Sequence, residues 1–112
     1  IRTSIFLDPE LKYIEPLNEI GTDRIEFYTE GFAKNYKINK EIAIEPYIKC
    51  AKLINEMGIG INAGHDLSLD NILFFKNNIE NLLEVSIGHA LITESLDFGI
   101  EAVIKKYLSY LK

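Results

Sequence analysis

Apolar positions along this chain form short runs that alternate with longer stretches of helical spacing. Residues 1–7, "IRTSIFL", read as a buried strand. It ends at Asp8-Pro9, where Asp is a favoured helix cap and Pro suits a first turn. Leu11, Ile14, Leu17 and Ile20 then share one helical face up to Gly21, and Pro16 predicts a kink or two short pieces. Residues 24–29, "RIEFYT", make a second strand, with Ile25 and Phe27 as its alternate apolar positions.

The stretch from about Glu30 to Lys40 is polar and reads as a loop. Ile44, Ile48, Ala51, Ile54 and Met57 form a helical stripe that stops at Gly58. Residues 59–62 are a third strand, Leu69 to Lys76 a modest helix, and residues 83–87 a fourth strand. After it, Ala90 to Asp97 predicts a short helix and Gly99 a break. Ile100 to Leu111 predicts a last helix with Ala102, Val103, Tyr107 and Leu111 inward.

Strands that alternate with helices, each strand near-continuously apolar, indicate parallel pairing with helical crossovers. Two architectures fit: an open four-stranded sheet, or half of an eight-stranded β/α barrel. The added short helix after the last strand favours the barrel, since barrels often bind phosphate with the loops after strands seven and eight and the start of such a helix. Residues 1–112 then form the carboxyl-terminal half of a TIM-barrel domain, strands five to eight, without the amino-terminal half. Half a barrel leaves two strand edges unpaired and one sheet face unfilled, so the missing half is expected in the natural chain or by assembly.

Composition narrows the reading. The 112 residues suit one domain, and 47% hydrophobic with 26% charged residues is a globular mix. No apolar run reaches the ~18 residues of a membrane span and no secretion leader is visible, which points to a soluble, cytoplasmic protein with no membrane partner. A net charge of −5 argues against a nucleic-acid surface. Cys50 reads as a small buried hydrophobe, and with only His65 and His89 beside it no metal spacing emerges. A start at Ile1 suggests a processed chain or an excerpt from a longer one.

Functional groups of a β/α barrel collect where strands run into the following loops. That rule selects Asp8, residues 26–30, 62–66 and 86–89. Gly88-His89 precedes a helix whose first N–H groups and positive dipole end suit a phosphate; equally, a strand-to-helix turn could simply need glycine. His65, in the same setting one strand earlier, could be a general acid or base, or a hydrogen-bonded structural histidine. Asn62 and Asp66 read as turn and cap residues. Glu26 is either a lumen-facing carboxylate placed for function or the rim partner of Arg24. Phe27 and Tyr28 read as packing residues. The charged stretch Lys34 to Glu41 reads as a solvated loop that could also serve as a lid.

"GIGINAGHDLSLDNI", followed about twenty residues on by "VSIGHALI", with "RIEFYTEGFA" upstream and "IFLD" near the start, resembles the carboxyl-terminal half of the pyridoxine 5′-phosphate synthase (PdxJ) family across essentially the whole chain. The resemblance implies a barrel with added helices in a homo-oligomer, an octamer in the family. It implies condensation of 1-deoxy-D-xylulose 5-phosphate with 3-amino-2-oxopropyl phosphate to pyridoxine 5′-phosphate, releasing inorganic phosphate and water, without organic cofactor or metal. By the same resemblance, His65 is the proton donor, Glu26 stabilises the transition state, and Asp66, Gly88 and His89 contact substrate phosphate. Asp66, Tyr28 and Glu30 stand where the family commonly has glycine, histidine and glycine. The bases and pentulose contacts of the amino-terminal strands are missing, so the chain alone is expected to be inactive. A phosphate-binding α/β module without turnover, and a structural half-barrel, are the competing readings.

Overall fold

The helical stripes and apolar runs assemble into a single parallel sheet with its helices on one side. The structure, a computed structural model, describes residues 3–111. Its elements are β1 (Ser4–Leu7), α1 (Leu11–Ile14), α2 (Leu17–Ile20), β2 (Arg24–Tyr28), α3 (Glu30–Tyr36), α4 (Lys40–Glu56), β3 (Gly60–Gly64), α5 (Ile72–Asn78), β4 (Leu82–Ser86), α6 (His89–Phe98) and α7 (Ile100–Leu111). The sheet order is β1-β2-β3-β4 and every pairing is parallel, so each strand lies beside its successor in the chain.

Period-two alternation decides which face is covered. Ile25, Phe27, Ile61 and Ala63 point into a core built with Ile14, Leu17, Phe32, Tyr47, Ile54 and Phe75 from the helices. A second cluster, Ile72, Val103 and Tyr107, extends that core under Val85 and Ile87. The opposite face carries Phe6, Arg24, Glu26, Asn62 and Glu84. Phe6 is 68% exposed there, which confirms that this face has no helical cover among the described residues.

One irregularity places a side chain on that open face. Between β3 and β4 the register shifts at Ile61/Asn62, so Ile61 opposes Leu82 while Asn62 opposes Glu84. The skipped residue, Leu83, lies over Gly60, where an added Cβ would be 2.8 Å from Leu83 Cδ1. The bulge turns Glu84 toward Asn62 and Arg24, and Val85 still reaches the core.

Most of the sequence-based elements are present, with boundaries moved by a few residues. Pro16 does divide the first helical stretch, and Gly21 ends α2 at φ 73°. Ile1 and Arg2 of the expected first strand lie outside the described residues. Asp8 is not a cap: α1 begins after Glu10, and the Asp8 carbonyl accepts the Glu10 N–H at 2.8 Å.

The expected loop from Glu30 to Lys40 is instead mostly helix. In α3, Phe32 is the one fully buried residue and Tyr36, a turn later, packs partly against the core; a single such pair in seven residues is too short a period to read, and the Thr29 carbonyl accepts the Ala33 N–H to start the helix. Lys34 to Glu41 therefore spans the end of α3, a turn and the start of α4, where Asn39 Oδ1 accepts the Ile42 N–H at 3.1 Å. Asn62 is not a turn residue but part of β3. The inward stripe of α4 is Ala43, Ile44, Tyr47, Cys50, Ala51 and Ile54, with Ile48 exposed; in α7, Ala102 faces solvent.

Phe75 meets Phe32 and Tyr47 edge-on at 4.9 and 5.5 Å and is fully buried. Phe75→Ala in the intact protein is expected to cost about 3–5 kcal/mol, whereas Ile38→Ala, on an exposed turn, should stay within about 0.5 kcal/mol of wild type. Denaturant unfolding of the two variants measures the contrast.

Candidate active site

Parallel register brings the carboxyl ends of β2, β3 and β4 level. Tyr28 pairs with Gly64, and Gly64 with Ser86, so the loops that follow emerge together along one edge of the sheet. There an open cleft of about 400 Å³ is lined by Glu26, Gly64, His65, Asp66, Gly88 and His89, with Phe6, Tyr28, Ser86 and Ile87 completing its wall. Its size is that of a small-molecule site. The five residues to which the family resemblance gives a role, Glu26, His65, Asp66, Gly88 and His89, all line it; of the other strand-end residues selected from sequence, Asp8, Phe27, Thr29, Glu30, Asn62 and Ala63 do not.

His65 stands on a turn that the backbone does not adopt freely. His65 has φ 97° and Asp66 φ 60°, the left-handed region that costs non-glycine residues energy. Buried neighbours hold the turn in place. Thr29 Oγ1 donates to the His65 carbonyl at 2.6 Å, and the Thr29 N–H donates to the Gly64 carbonyl at 3.0 Å. Asn71 Nδ2 donates to the Asp66 carbonyl at 3.3 Å, and Asn71 Oδ1 accepts the Ser68 N–H at 2.9 Å. The imidazole itself lies against the Tyr28 ring, centroids 4.5 Å apart, with Nδ1 3.2 Å from Asp66 Oδ2. Tyr28 is fixed in turn through its carbonyl, which accepts the buried Tyr47 hydroxyl at 2.9 Å; burial pushes that phenol up to about 12.

Glu26 lies on the open face, not paired with Arg24. Arg24 instead reaches Asn62 Oδ1 at 3.0 Å and Glu84 Oε1 at 3.2 Å. Among the described residues the Glu26 carboxylate has no hydrogen-bond or ion-pair partner. Partial burial, and secondarily the charge of Glu84, raise its pKa above the usual 4.5. Gly64 makes room for it: a Cβ there would sit 2.8 Å from Glu26 Oε2 and 3.1 Å from Ser86 Cβ.

Gly88 is the N-cap of α6 and makes no side-chain cap, so the first N–H groups of that helix face the cleft without an intrahelical acceptor. An added Cβ at Gly88 would meet nothing within 4 Å, so packing within the chain does not demand glycine there. Among the described residues no three His, Cys, Asp or Glu side chains could hold a metal ion together, and no helix is long and apolar enough to cross a membrane.

The sequence that carries these "NAGH" and "IGH" strand ends has relatives. The whole chain, residues 1–112, matches the family described as "Pyridoxal phosphate biosynthesis protein PdxJ". The chain belongs to the PdxJ family. It is 62% identical to pyridoxine 5′-phosphate synthase of Flavobacterium johnsoniae, 57% to that of Christiangramia forsetii and 49% to that of Cytophaga hutchinsonii. Each match covers 100% of this chain and 47% of the relative, so the chain spans about half the length of the curated relatives it matches.

Thr29 lay within a selected strand end but was given no role, and Asn71 was missed by sequence reading; both hold the backbone of this turn. A buried threonine directly after an apolar strand, and Asn six residues beyond the histidine, are ordinary in sequence; only the left-handed turn gives them a purpose.

The raised pKa of Glu26 has a sign that can be tested. A carboxyl that binds its proton more tightly folded than unfolded loses stability as pH rises from about 4.5 through the folded value, and the loss persists above it. Glu26→Gln should therefore be more stable than wild type at pH 7 and indistinguishable from it well below pH 4.5. Unfolding midpoints at the two pH values measure this; equal midpoints at pH 7 would contradict the placement of the carboxylate.

Proposed function

We propose that this chain is the carboxyl-terminal half, strands five to eight, of a β/α barrel that condenses 1-deoxy-D-xylulose 5-phosphate with 3-amino-2-oxopropyl phosphate to pyridoxine 5′-phosphate, inorganic phosphate and water. The observation that carries this reading is the convergence of Glu26, His65, Asp66, Gly88 and His89 on one cleft, in a chain whose relatives are named for that synthase. One-sided helical cover and sequential strand order also favour a barrel over a sheet wound on both faces. The open face is then half of the lumen, and β1 and β4 are the edges that the amino-terminal strands would close.

In this reading the phosphate of the amino ketone binds at the start of α6, against Gly88 and His89, where unpaired N–H groups and the helix dipole favour an anion. The room beside Gly88 belongs to that phosphate. The Asp66 side chain turns to His65 Nδ1, which leaves the Asp66 backbone for the phosphate and directs His65 Nε2 at the reacting atoms. His65 supplies the proton that lets oxygen depart as water during dehydration. Amine addition and imine formation place positive charge on nitrogen, and Glu26, lodged over Gly64, stabilises it when ionised.

The other bases and the pentulose phosphate contacts belong to the amino-terminal strands. Hence the chain by itself should not turn over substrate, and a separately produced amino-terminal half should restore activity. The complete enzyme is a cytoplasmic homo-oligomer that needs no organic cofactor or metal.

Two substitutions in the full-length protein test the assignment. His65→Ala should lower kcat by about 10²- to 10⁴-fold, the usual worth of a positioned proton donor; undiminished ring formation would remove His65 from that role. Gly88→Val should raise the KM for the amino-ketone phosphate by crowding the approach to the backbone; an unchanged KM would contradict the phosphate site. A wild-type protein that binds phosphate without forming product would instead establish a binding module.

A further inference from the structure

The helix that begins at the proposed phosphate corner is weakly held. No residue of α6 is fully buried, and its apolar Ile92 and Leu96 are 67% and 84% exposed. Leu91 packs partly against Ile72, Val103 and Tyr107. At its far end Lys106 of α7 lies over the Phe98 ring at 5.1 Å, and the hydrogen-bonded attachment runs through Glu94. Its Oε2 accepts the backbone N–H of Leu69 at 3.1 Å, and its Oε1 accepts a short hydrogen bond from the Tyr107 hydroxyl.

Leu69 lies four residues beyond His65, in the connection between β3 and α5, before the helical ladder of α5 begins. Its N–H is thus a donor that the local backbone does not serve, and its acceptor comes from a helix 25 residues on. The same connection contains the left-handed His65 and Asp66, which only surrounding contacts can hold. Thr29 and Asn71 fasten it from the core side; Glu94 fastens it to α6. A carboxylate suits the task because its two oxygens serve two donors at once, with the added strength of a charged acceptor.

We propose that Glu94 is a positioning residue that locks the Gly88-His89 helix to the His65 turn, so that a phosphate bound at one corner sits at a fixed distance from the proton donor at the other. The inference rests on the synthase reading for its chemical meaning, but the link itself is independent of it. Tyr107, held by burial and by Glu94 as the neutral phenol, anchors the carboxylate to α7. Glutamine can replace it: the amide oxygen accepts from Leu69, and the amide nitrogen donates to a Tyr107 hydroxyl turned the other way. Alanine serves neither donor.

The experiment compares wild type, Glu94→Ala and Glu94→Gln of the full-length protein. In Glu94→Ala, hydrogen exchange at the Leu69 amide should quicken by about tenfold or more as the turn opens locally. The KM for the amino-ketone phosphate should rise and kcat fall, each by about tenfold, because displaced reacting groups are costly, and the KM for the pentulose phosphate should stay within about twofold. Glu94→Gln should restore all these values to near wild type. Equal Leu69 exchange in wild type and Glu94→Ala would overturn the proposal. So would a parallel rise of both KM values in step with lost thermal stability, which is the mark of a scaffold residue. If the wild type forms no product, the synthase reading falls, and the lock is judged by titrating inorganic phosphate while observing the His65 ring by NMR. A response present in wild type and Glu94→Gln but lost in Glu94→Ala supports it; the same response in all three overturns it.

Discussion

Parallel pairing in chain order is the constraint on which everything else in this molecule depends. Because β1 to β4 run the same way, every loop that leaves a strand does so at one edge, and register sets residues far apart in sequence side by side. Glu26, His65 and Gly88 share a cleft for that reason. The covered face holds the aromatic core, and the other face carries polar groups, of which Asn62 is buried among its neighbours while Glu84 stays exposed. The pair Arg24 and Glu84, bridged by Asn62, lies on that open face.

The site concentrates strain and satisfies it from below. Left-handed His65 and Asp66 are held because Thr29 and Asn71, both buried, donate hydrogen bonds to their carbonyls. Asp66 occupies a position where glycine would be the cheaper backbone choice, and its carboxylate gains a contact with the His65 ring. Tyr28 lies against the same ring, so Asp66 and Tyr28 both act on the orientation of one histidine.

Strands alternating with helices, and the strand-end histidines, were legible because each leaves a local trace: an apolar run, a period, a Gly-His ending. Strand order and the single covered face leave none, and they separate two architectures that the sequence allowed. The helix α3 was not, since Phe32 and Tyr36 are a single i,i+4 pair in a seven-residue helix, too short a period to read. Asn62 looked like a turn residue because the third strand extends two residues farther than its apolar run. Glu26 could be narrowed to two roles by sequence, and the choice needed the β4 bulge, which gives Arg24 another partner. Glu94 was invisible for a different reason: its partners are a backbone amide and a phenol on separate elements, and nothing in "TESL" announces either.

The most direct test of the central claim is the structure of the complete protein bound to the amino-ketone phosphate. The account predicts the phosphate within hydrogen-bond distance of the Gly88 and His89 N–H groups, with the substrate's reacting carbon beside His65 Nε2 and its nitrogen facing Glu26. A phosphate held elsewhere, with His65 remote from the substrate, would contradict it.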